Sequence, residues 1–143
     1  MQRKEYFIEY RKKNKKRSNA YANNWRKKNP HKVRERLRRW TQTPKGIYHA
    51  LKQHSRVKNR PFDLQQLEFI IWHNSQEKKC YYCSKPQGKK RLSIDRKNNN
   101  LFYSLDNIVL ACDECNSVKG NVLTEQEMLI VGKLIMEKRW QTT

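Results

Sequence analysis

The stretch that decides the fold runs from Cys80 to Lys119 and opens with C-Y-Y-C at 80–83. It continues with L-S-I-D-R at 92–96 and D-N-I-V-L-A at 106–111, and it closes with C-D-E-C-N-S-V-K at 112–119. A C-x-x-C turn brings two sulfurs close enough to share one metal ion, and a second such pair completes a tetrahedral shell. The sequence therefore predicts one structural Zn²⁺ held by Cys80, Cys83, Cys112 and Cys115.

The two C-x-x-C pairs could also form disulfides or remain as inert thiols. A gap of 28 residues, from 84 to 111, separates them, which leaves room for a strand, a loop and a second strand. Two disulfides or inert thiols are the competing interpretation, but adjacent C-x-x-C pairs seldom form structural disulfides in a chain without a secretory signal. Because the metal uses all four cysteines, we expect no catalysis by a thiolate.

Length and hydropathy bound the class of protein. A chain of 143 residues has room for one modest core, and bound zinc adds the stability that a small core lacks. No run approaches a membrane span, and the first residues, M-Q-R-K-E-Y, lead into no apolar signal core. We therefore expect a soluble, cytoplasmic protein with no membrane partner.

The net charge of +20 is concentrated in the N-terminal part. Residues 1–60 hold 21 Lys and Arg against three acids, for a charge of +18, whereas residues 61–143 hold 12 against 10, for +2. Such a block gains free energy by displacing counterions from a phosphate backbone, so the expected partner is nucleic acid. An anionic membrane is the competitor, but the block is poor in the Leu, Ile and Val that a membrane-bound helix needs.

Two dipeptides divide the basic block into helices. Asn29-Pro30 and Thr43-Pro44 each place a capping side chain before a proline that suits the first helical position. The predicted helices cover residues 3–28, 30–42 and 44–58.

The basic block also contains an internal echo, because Y-R-K-K-N at 10–14 recurs as W-R-K-K-N at 25–29. One interpretation lays these aromatic and basic side chains along a DNA backbone; the other is a solvated helix whose aromatics pack on a neighbour. We favour binding, and we divide the chain into a basic helical DNA-binding arm, residues 1–60, and a second domain, residues 61–143.

The second domain shows its own helix and strand signals. An apolar helix is predicted over 61–75, with Asp63 as its cap and its buried face formed by Leu64, Leu67, Phe69, Ile71 and Trp72. L-S-I-D and N-I-V-L-A are predicted strands, followed by a short helix from Cys112 to Lys119. A capping box, Thr124 to Glu127, opens a final helix with the apolar residues Met128, Val131, Leu134, Ile135 and Trp140.

Over about residues 60–140, the order C-x-x-C, S-I-D-R, D-N-I-V-L-A-C-x-x-C-N-x-x-K resembles the HNH nuclease family. It resembles especially the subgroup with Asp-Arg where most members have Asp-His, a subgroup that includes PacI-type restriction enzymes and phage and mobile-element endonucleases. The resemblance implies an α+β fold: a small zinc-stapled ββα-metal core, or His-Me finger, behind a helical, strongly basic N-terminal arm.

The resemblance also implies roles for single residues. Asp95 matches the carboxylate that binds the catalytic divalent ion, and Asn116 matches the second ligand; their oxygens suit Mg²⁺ or Mn²⁺. Asn107 matches the residue that braces the loop between the strands, and Lys119 is placed to neutralise a phosphate. The plainer alternatives are a surface carboxylate ending a strand for Asp95 and a helix-capping amide for Asn116.

Arg96 is a departure from the family pattern, which usually has His as the general base. A guanidinium stays protonated and cannot take a proton from water, but it can grip the scissile phosphate. The base must then be one of the four histidines or a tyrosine, and we prefer His73 because an apolar helix should anchor it beside the metal core. His54 is second, while His31 and His49 in the basic block are more simply explained as DNA contacts.

These inferences predict a divalent-metal-dependent HNH endonuclease that hydrolyses double-stranded DNA in restriction, homing or phage DNA processing. The alternative is a catalytically inactive zinc protein that binds DNA or RNA, and the missing family His is the strongest point in its favour. With one site per chain, a monomer would nick DNA, whereas a two-fold homodimer would cut both strands.

Overall fold

The computed structural model describes residues 3–140, except for the side chain of Trp140. Six α-helices occur in this range: α1 Arg3–Lys28, α2 Pro30–Gln42, α3 Pro44–Val57, α4 Gln66–Ser75, α5 Asp113–Lys119 and α6 Glu125–Trp140. The two strands are β1 Ser93–Arg96 and β2 Ile108–Ala111. The fold is therefore α+β, as predicted, and no helix within residues 3–140 is long and apolar enough to cross a membrane.

The chain forms two compact units, of which the first ends at Trp40 and the second begins at Thr41. This boundary lies earlier than the one predicted after residue 60. The reason is that α3 belongs to the second unit: Ile47 and Tyr48 are buried in its core, and the Tyr48 hydroxyl donates to the Leu64 carbonyl oxygen at 3.0 Å.

The first unit consists of α1 and most of α2, and it contains 16 Lys and Arg against three acids in residues 1–40, for a charge of +13. Both helices have the predicted bounds. The Asn29 side-chain Nδ2 donates to the Trp25 carbonyl oxygen at 2.9 Å and closes the end of α1. Thr43 does cap α3, because its Oγ1 accepts from the Gly46 N–H at 3.0 Å.

The sheet of the second unit is a single antiparallel pair. Asp95 lies opposite Val109 and Arg96 lies opposite Ile108, and all of β2 is buried. A loop and a 3-10 turn, Leu105–Asn107, connect the strands, and α5 follows β2 almost directly. This is the predicted order of strand, loop, strand and helix.

Helix α4 differs from its prediction in its start and in its buried face. It begins at Gln66, and Asp63 is not its cap; the Asp63 N–H instead donates to the Tyr103 carbonyl oxygen at 2.9 Å. Phe69 is fully buried against Tyr48 and Trp72, whereas Leu67 and Ile71 are exposed. The exposed residues show that only a narrow stripe of this short helix meets the core.

Helix α6 begins with the predicted capping box, in which the Thr124 N–H donates to Glu127 and the Glu127 N–H donates back to Thr124. Met128 is fully buried, although Leu134 is exposed. At Gly132 a Cβ atom would lie 2.3 Å from the Tyr82 carbonyl oxygen. Glycine is needed here because α6 packs directly on the backbone of the first C-x-x-C turn.

Candidate active site and metal centre

The four cysteines form one cluster. Their sulfur atoms all lie within 4.8 Å of one another, and the Cys83 and Cys112 sulfurs are 3.8 Å apart. Four sulfurs held about 2.3 Å from a tetrahedral zinc are separated by about 3.8 Å, and none of the four is in a disulfide. The geometry is therefore compatible with a zinc ion.

The surroundings of the cluster also suit a cation. Burial raises the pKa of the Cys80 and Cys115 thiols, so a bound metal ion is what would hold them as thiolates. Four thiolates around a dication leave two negative charges. Arg139 offsets part of this charge, because its Nη1 donates to the Cys83 sulfur at 3.3 Å.

A cavity of about 430 Å³ lies beside β1 and the residues that end α3 and α5. Its polar lining includes His54, Arg60, Arg91, Asp95, Arg96 and Asn116. Three of the predicted site residues, Asp95, Arg96 and Asn116, therefore share one cavity. Arg60 and Arg91 had not been singled out from the sequence, where they are two among 33 Lys and Arg.

Asp95 is held in place by two groups that both contact Oδ2. The Tyr82 hydroxyl donates to it at 2.6 Å, and the Lys119 Nζ lies 3.3 Å away. Burial, together with the hydrogen bond to Asp95, raises the pKa of Tyr82, so the phenol keeps its proton and remains a donor. Within the described part of the chain, no side-chain contact of Asp95 involves Oδ1, which leaves that oxygen for another partner.

Lys119, which was predicted to neutralise a phosphate, is fully buried. Besides its ion pair with Asp95, its Nζ donates to the Arg96 carbonyl oxygen at 2.7 Å and to Asn99 Oδ1 at 3.3 Å. Three oxygens therefore surround this ammonium group inside the protein. The Lys119 side chain joins α5 to the end of β1.

Arg96 and Asn107 both bind the loop that follows β1. Arg96 is buried, and its Nη1 donates to the carbonyl oxygens of Asn99 and Leu101 at 2.8 and 2.7 Å. The Asn107 side chain accepts from the Asn98 N–H at 2.9 Å and donates to the carbonyl oxygens of Asn98 and Phe102. These contacts fix the loop at the edge of the cavity.

The structure separates the two candidate histidines. His54 is exposed on the last turn of α3 and lines the cavity, whereas His73 is not among the residues that line it. His73 packs against Phe69 with the two ring centres 5.9 Å apart, and its buried Nδ1 has no hydrogen-bond partner among residues 3–140. The pKa of His73 is lowered mainly by burial and, to a smaller extent, by the positive charge of Lys78.

The spacing of apolar residues on α3 is the sequence signal that points to His54. Ile47, Leu51 and His54 are spaced four and three residues apart, so they share one helix face, and all three line the cavity. Because residues 1–60 are strongly basic, α3 was predicted to belong to the arm.

The fold is similar to that of the rare-cutting HNH restriction endonuclease PacI. The TM-score is 0.58 and the identity 24%, and the likeness covers 67% of this chain and 78% of PacI. At this identity the likeness shows a shared HNH-type fold.

Sequence relatives add little to this structural likeness. An uncharacterised protein of Acanthamoeba polyphaga mimivirus is 41% identical over 63 residues, which is 41% of this chain. This chain spans 12% of the length of that viral protein. No protein-family model matches the chain.

Proposed function

We propose that this chain is a divalent-metal-dependent endonuclease of the HNH class that hydrolyses phosphodiester bonds in double-stranded DNA. One observation carries the proposal: on an HNH-type fold, a single cavity is lined by two oxygen donors, Asp95 and Asn116, and by the imidazole of His54. Phosphodiester hydrolysis needs a cation site, a base and groups that accept negative charge. Arg60 and Arg91 line the same cavity and are the groups that would stabilise the developing negative charge.

Asp95 and Asn116 are the residues that would hold Mg²⁺ or Mn²⁺. Carboxylate and amide oxygens are hard donors, and Mg²⁺ retains several waters and so needs few protein ligands. Tyr82 and Lys119 both contact Oδ2 of Asp95, so Oδ1 is the oxygen that would bind the metal ion. When bound, the ion stabilises the charge that builds on the phosphate and on the leaving 3′ oxygen.

His54 is the proposed general base. Its imidazole takes a proton from the attacking water and, being exposed, returns that proton to solvent. Arg96 cannot do this, because a guanidinium stays protonated at any working pH. Arg96 instead holds the loop at the edge of the cavity and supports the position of Asp95 beside it.

The first unit is the proposed DNA-binding arm. Its +13 charge lies on two helices that bury no residue, so the cations are open to a phosphate backbone. A monomer with one cavity would nick a duplex, and a homodimer would be needed to cut both strands.

A catalytically inactive zinc protein that binds DNA or RNA is the second candidate. Two observations favour it: Arg96 stands where the family usually has its base, and Lys119 already neutralises part of the Asp95 charge. Such a protein would retain binding but would show no cleavage.

Nicking of supercoiled plasmid in Mg²⁺ or Mn²⁺, against an EDTA control, separates the two candidates. The endonuclease converts the plasmid to the open circular or linear form only when the metal is present. The Asp95→Asn variant should bind the plasmid but leave it supercoiled, because the amide keeps the shape and loses the charge. Metal-independent nicking, or equal nicking by Asp95→Asn, would contradict the proposal.

A further inference from the structure

We propose that the arm carries a separate binding site for an unpaired nucleotide, where α1 meets α2. A cavity of about 410 Å³ lies at this junction, and its lining includes Tyr21, Trp25, Arg26, Lys32, Val33 and Arg36. All of these residues belong to the first unit. The site goes beyond the proposed nuclease activity, because it needs neither a divalent ion nor cleavage.

The aromatic wall of the cavity is open to solvent. Tyr21 and Trp25 are one helical turn apart and so share one face of α1; they are 74% and 41% exposed. Val33, on α2, is half-buried and adds an apolar surface. Large aromatic rings left open in a concave site gain free energy when a flat partner covers them.

The junction itself is fixed by hydrogen bonds. The Trp25 carbonyl oxygen accepts from both the Asn29 N–H and the Asn29 Nδ2, each at 2.9 Å. The Val33 N–H in turn donates to the Asn29 carbonyl oxygen at 3.1 Å. Asn29 therefore holds the end of α1 to the start of α2, and the cavity between them is present before any ligand binds.

The charges around the rings define the ligand. Arg26, Lys32 and Arg36 line the cavity with the aromatics, and none of the residues that line it is acidic. A ligand with a flat ring and a negative charge matches both features, and a nucleotide has both. Its size suits the cavity, since small-molecule sites usually span about 300–1,000 Å³.

The nucleotide has to be unpaired. In a duplex the faces of the bases are covered by their stacked neighbours, so a helix on the outside meets only phosphates and groove edges. Proteins that bind single strands combine a positive groove with aromatic rings on which bases stack. An apolar protein segment is a poorer occupant, because it would bury three cations unpaired, and a second copy of this chain carries the same +20 charge.

The test measures binding of fluorescent strands to the full-length chain in EDTA, where no metal-dependent cleavage occurs. The probes are a single-stranded oligothymidylate and an abasic strand of equal length, which has the same phosphates but no bases. We expect the oligothymidylate to bind more tightly. Trp25→Ala and Tyr21→Ala should weaken its binding by roughly five- to a hundredfold, the range that corresponds to the loss of one stacked base.

The control variant is Phe7→Ala, which removes an aromatic ring that is 47% exposed on the same helix but is not among the residues that line the cavity. Phe7→Ala should leave the affinities for both strands unchanged. Trp25→Ala should bind the abasic strand normally and should keep the wild-type salt dependence, because no phosphate contact is lost.

Equal affinity for the two strands would overturn the proposal, as would an equal loss of affinity in Phe7→Ala. A change in oligomeric state on Trp25→Ala without a change in strand affinity would assign the cavity to a second copy instead. Failure of the nuclease proposal would leave this result standing, since binding is measured without cleavage.

Discussion

The hydroxyl of Tyr82 donates a hydrogen bond of 2.6 Å to Oδ2 of Asp95. Tyr82 lies between Cys80 and Cys83, so this bond connects the turn of the cysteine cluster to the carboxylate on β1. Both residues are buried, and Gly132 of α6 packs against the backbone of the same tyrosine. The cysteine cluster thus does more than stabilise the fold, because it fixes a group that orients Asp95.

Tyr82→Phe should slow cleavage while the protein stays folded. The change removes one hydrogen bond to a charged group, which is worth about 1.5–3 kcal/mol, and leaves the ring in place. If that loss falls on the transition state, the rate drops by roughly ten- to a hundredfold. Single-turnover cleavage measures it, with Tyr81→Phe, on the neighbouring exposed ring, as the control. Wild-type cleavage by Tyr82→Phe would show that Asp95 needs no such support.

Purified protein should contain one zinc per chain, and removing it should unfold the second unit. The cysteine cluster is buried at the centre of a small core, so the binding energy of the metal is folding energy. Metal analysis and circular dichroism measure this, and Ser117→Ala, at an exposed position of α5, is the control for Cys112→Ser. If Cys112→Ser remains folded after chelation, metal binding by the cysteine cluster is not what holds the second unit folded.

Lys119→Met should destabilise the second unit by about 3–5 kcal/mol, because it leaves the buried Asp95 charge without its partner. Urea unfolding measures the change, and Lys133→Met on the exposed side of α6 is the matched control. The double variant Asp95→Asn with Lys119→Met should recover part of the loss. Unchanged stability with weaker DNA binding would instead favour a phosphate contact for Lys119.

The stability of the protein should fall in acid partly because of His73. Burial lowers its pKa below the 6.5 of an unfolded chain, so the folded state binds the proton less well. The neutral ring therefore adds stability that is present above pH 6.5 and is lost as pH falls through the folded-state pKa.

His73→Phe tests this pH dependence. No described residue hydrogen-bonds the buried Nδ1, so replacing the imidazole with phenylalanine removes an unpaired buried polar atom and should cost little stability. Urea unfolding of both proteins at about pH 8 and about pH 5 should show a larger loss on acidification for the wild type. Parallel losses in the two proteins would contradict the lowered pKa.

Local patterns predicted most of the fold. Pro30 and Pro44 set helix starts, the capping box began α6, and the two C-x-x-C pairs enclosed the strand, loop and strand. These features depend on neighbouring residues, so one sequence is enough to identify them.

Sequence patterns were least informative where the tertiary structure overrides residue type. Lys119 has the side chain that is rarest inside proteins, yet three oxygens hold it there. Helix α3 has the charge of the arm but buries Ile47 and Tyr48, which brought His54 rather than His73 to the cavity. Composition and spacing along the chain do not show which helix face meets the core.

The cavity as the active site is tested most directly by single-turnover cleavage of a DNA duplex by His54→Ala and His73→Ala. His54→Ala removes an imidazole that lines the cavity, and His73→Ala removes one that does not. We predict that His54→Ala slows the chemical step by about a hundredfold or more, the usual scale for loss of a general base, at unchanged DNA affinity. His73→Ala should cleave at nearly the wild-type rate once both are folded. The reverse result, with His54→Ala fully active and His73→Ala slow, would contradict the account.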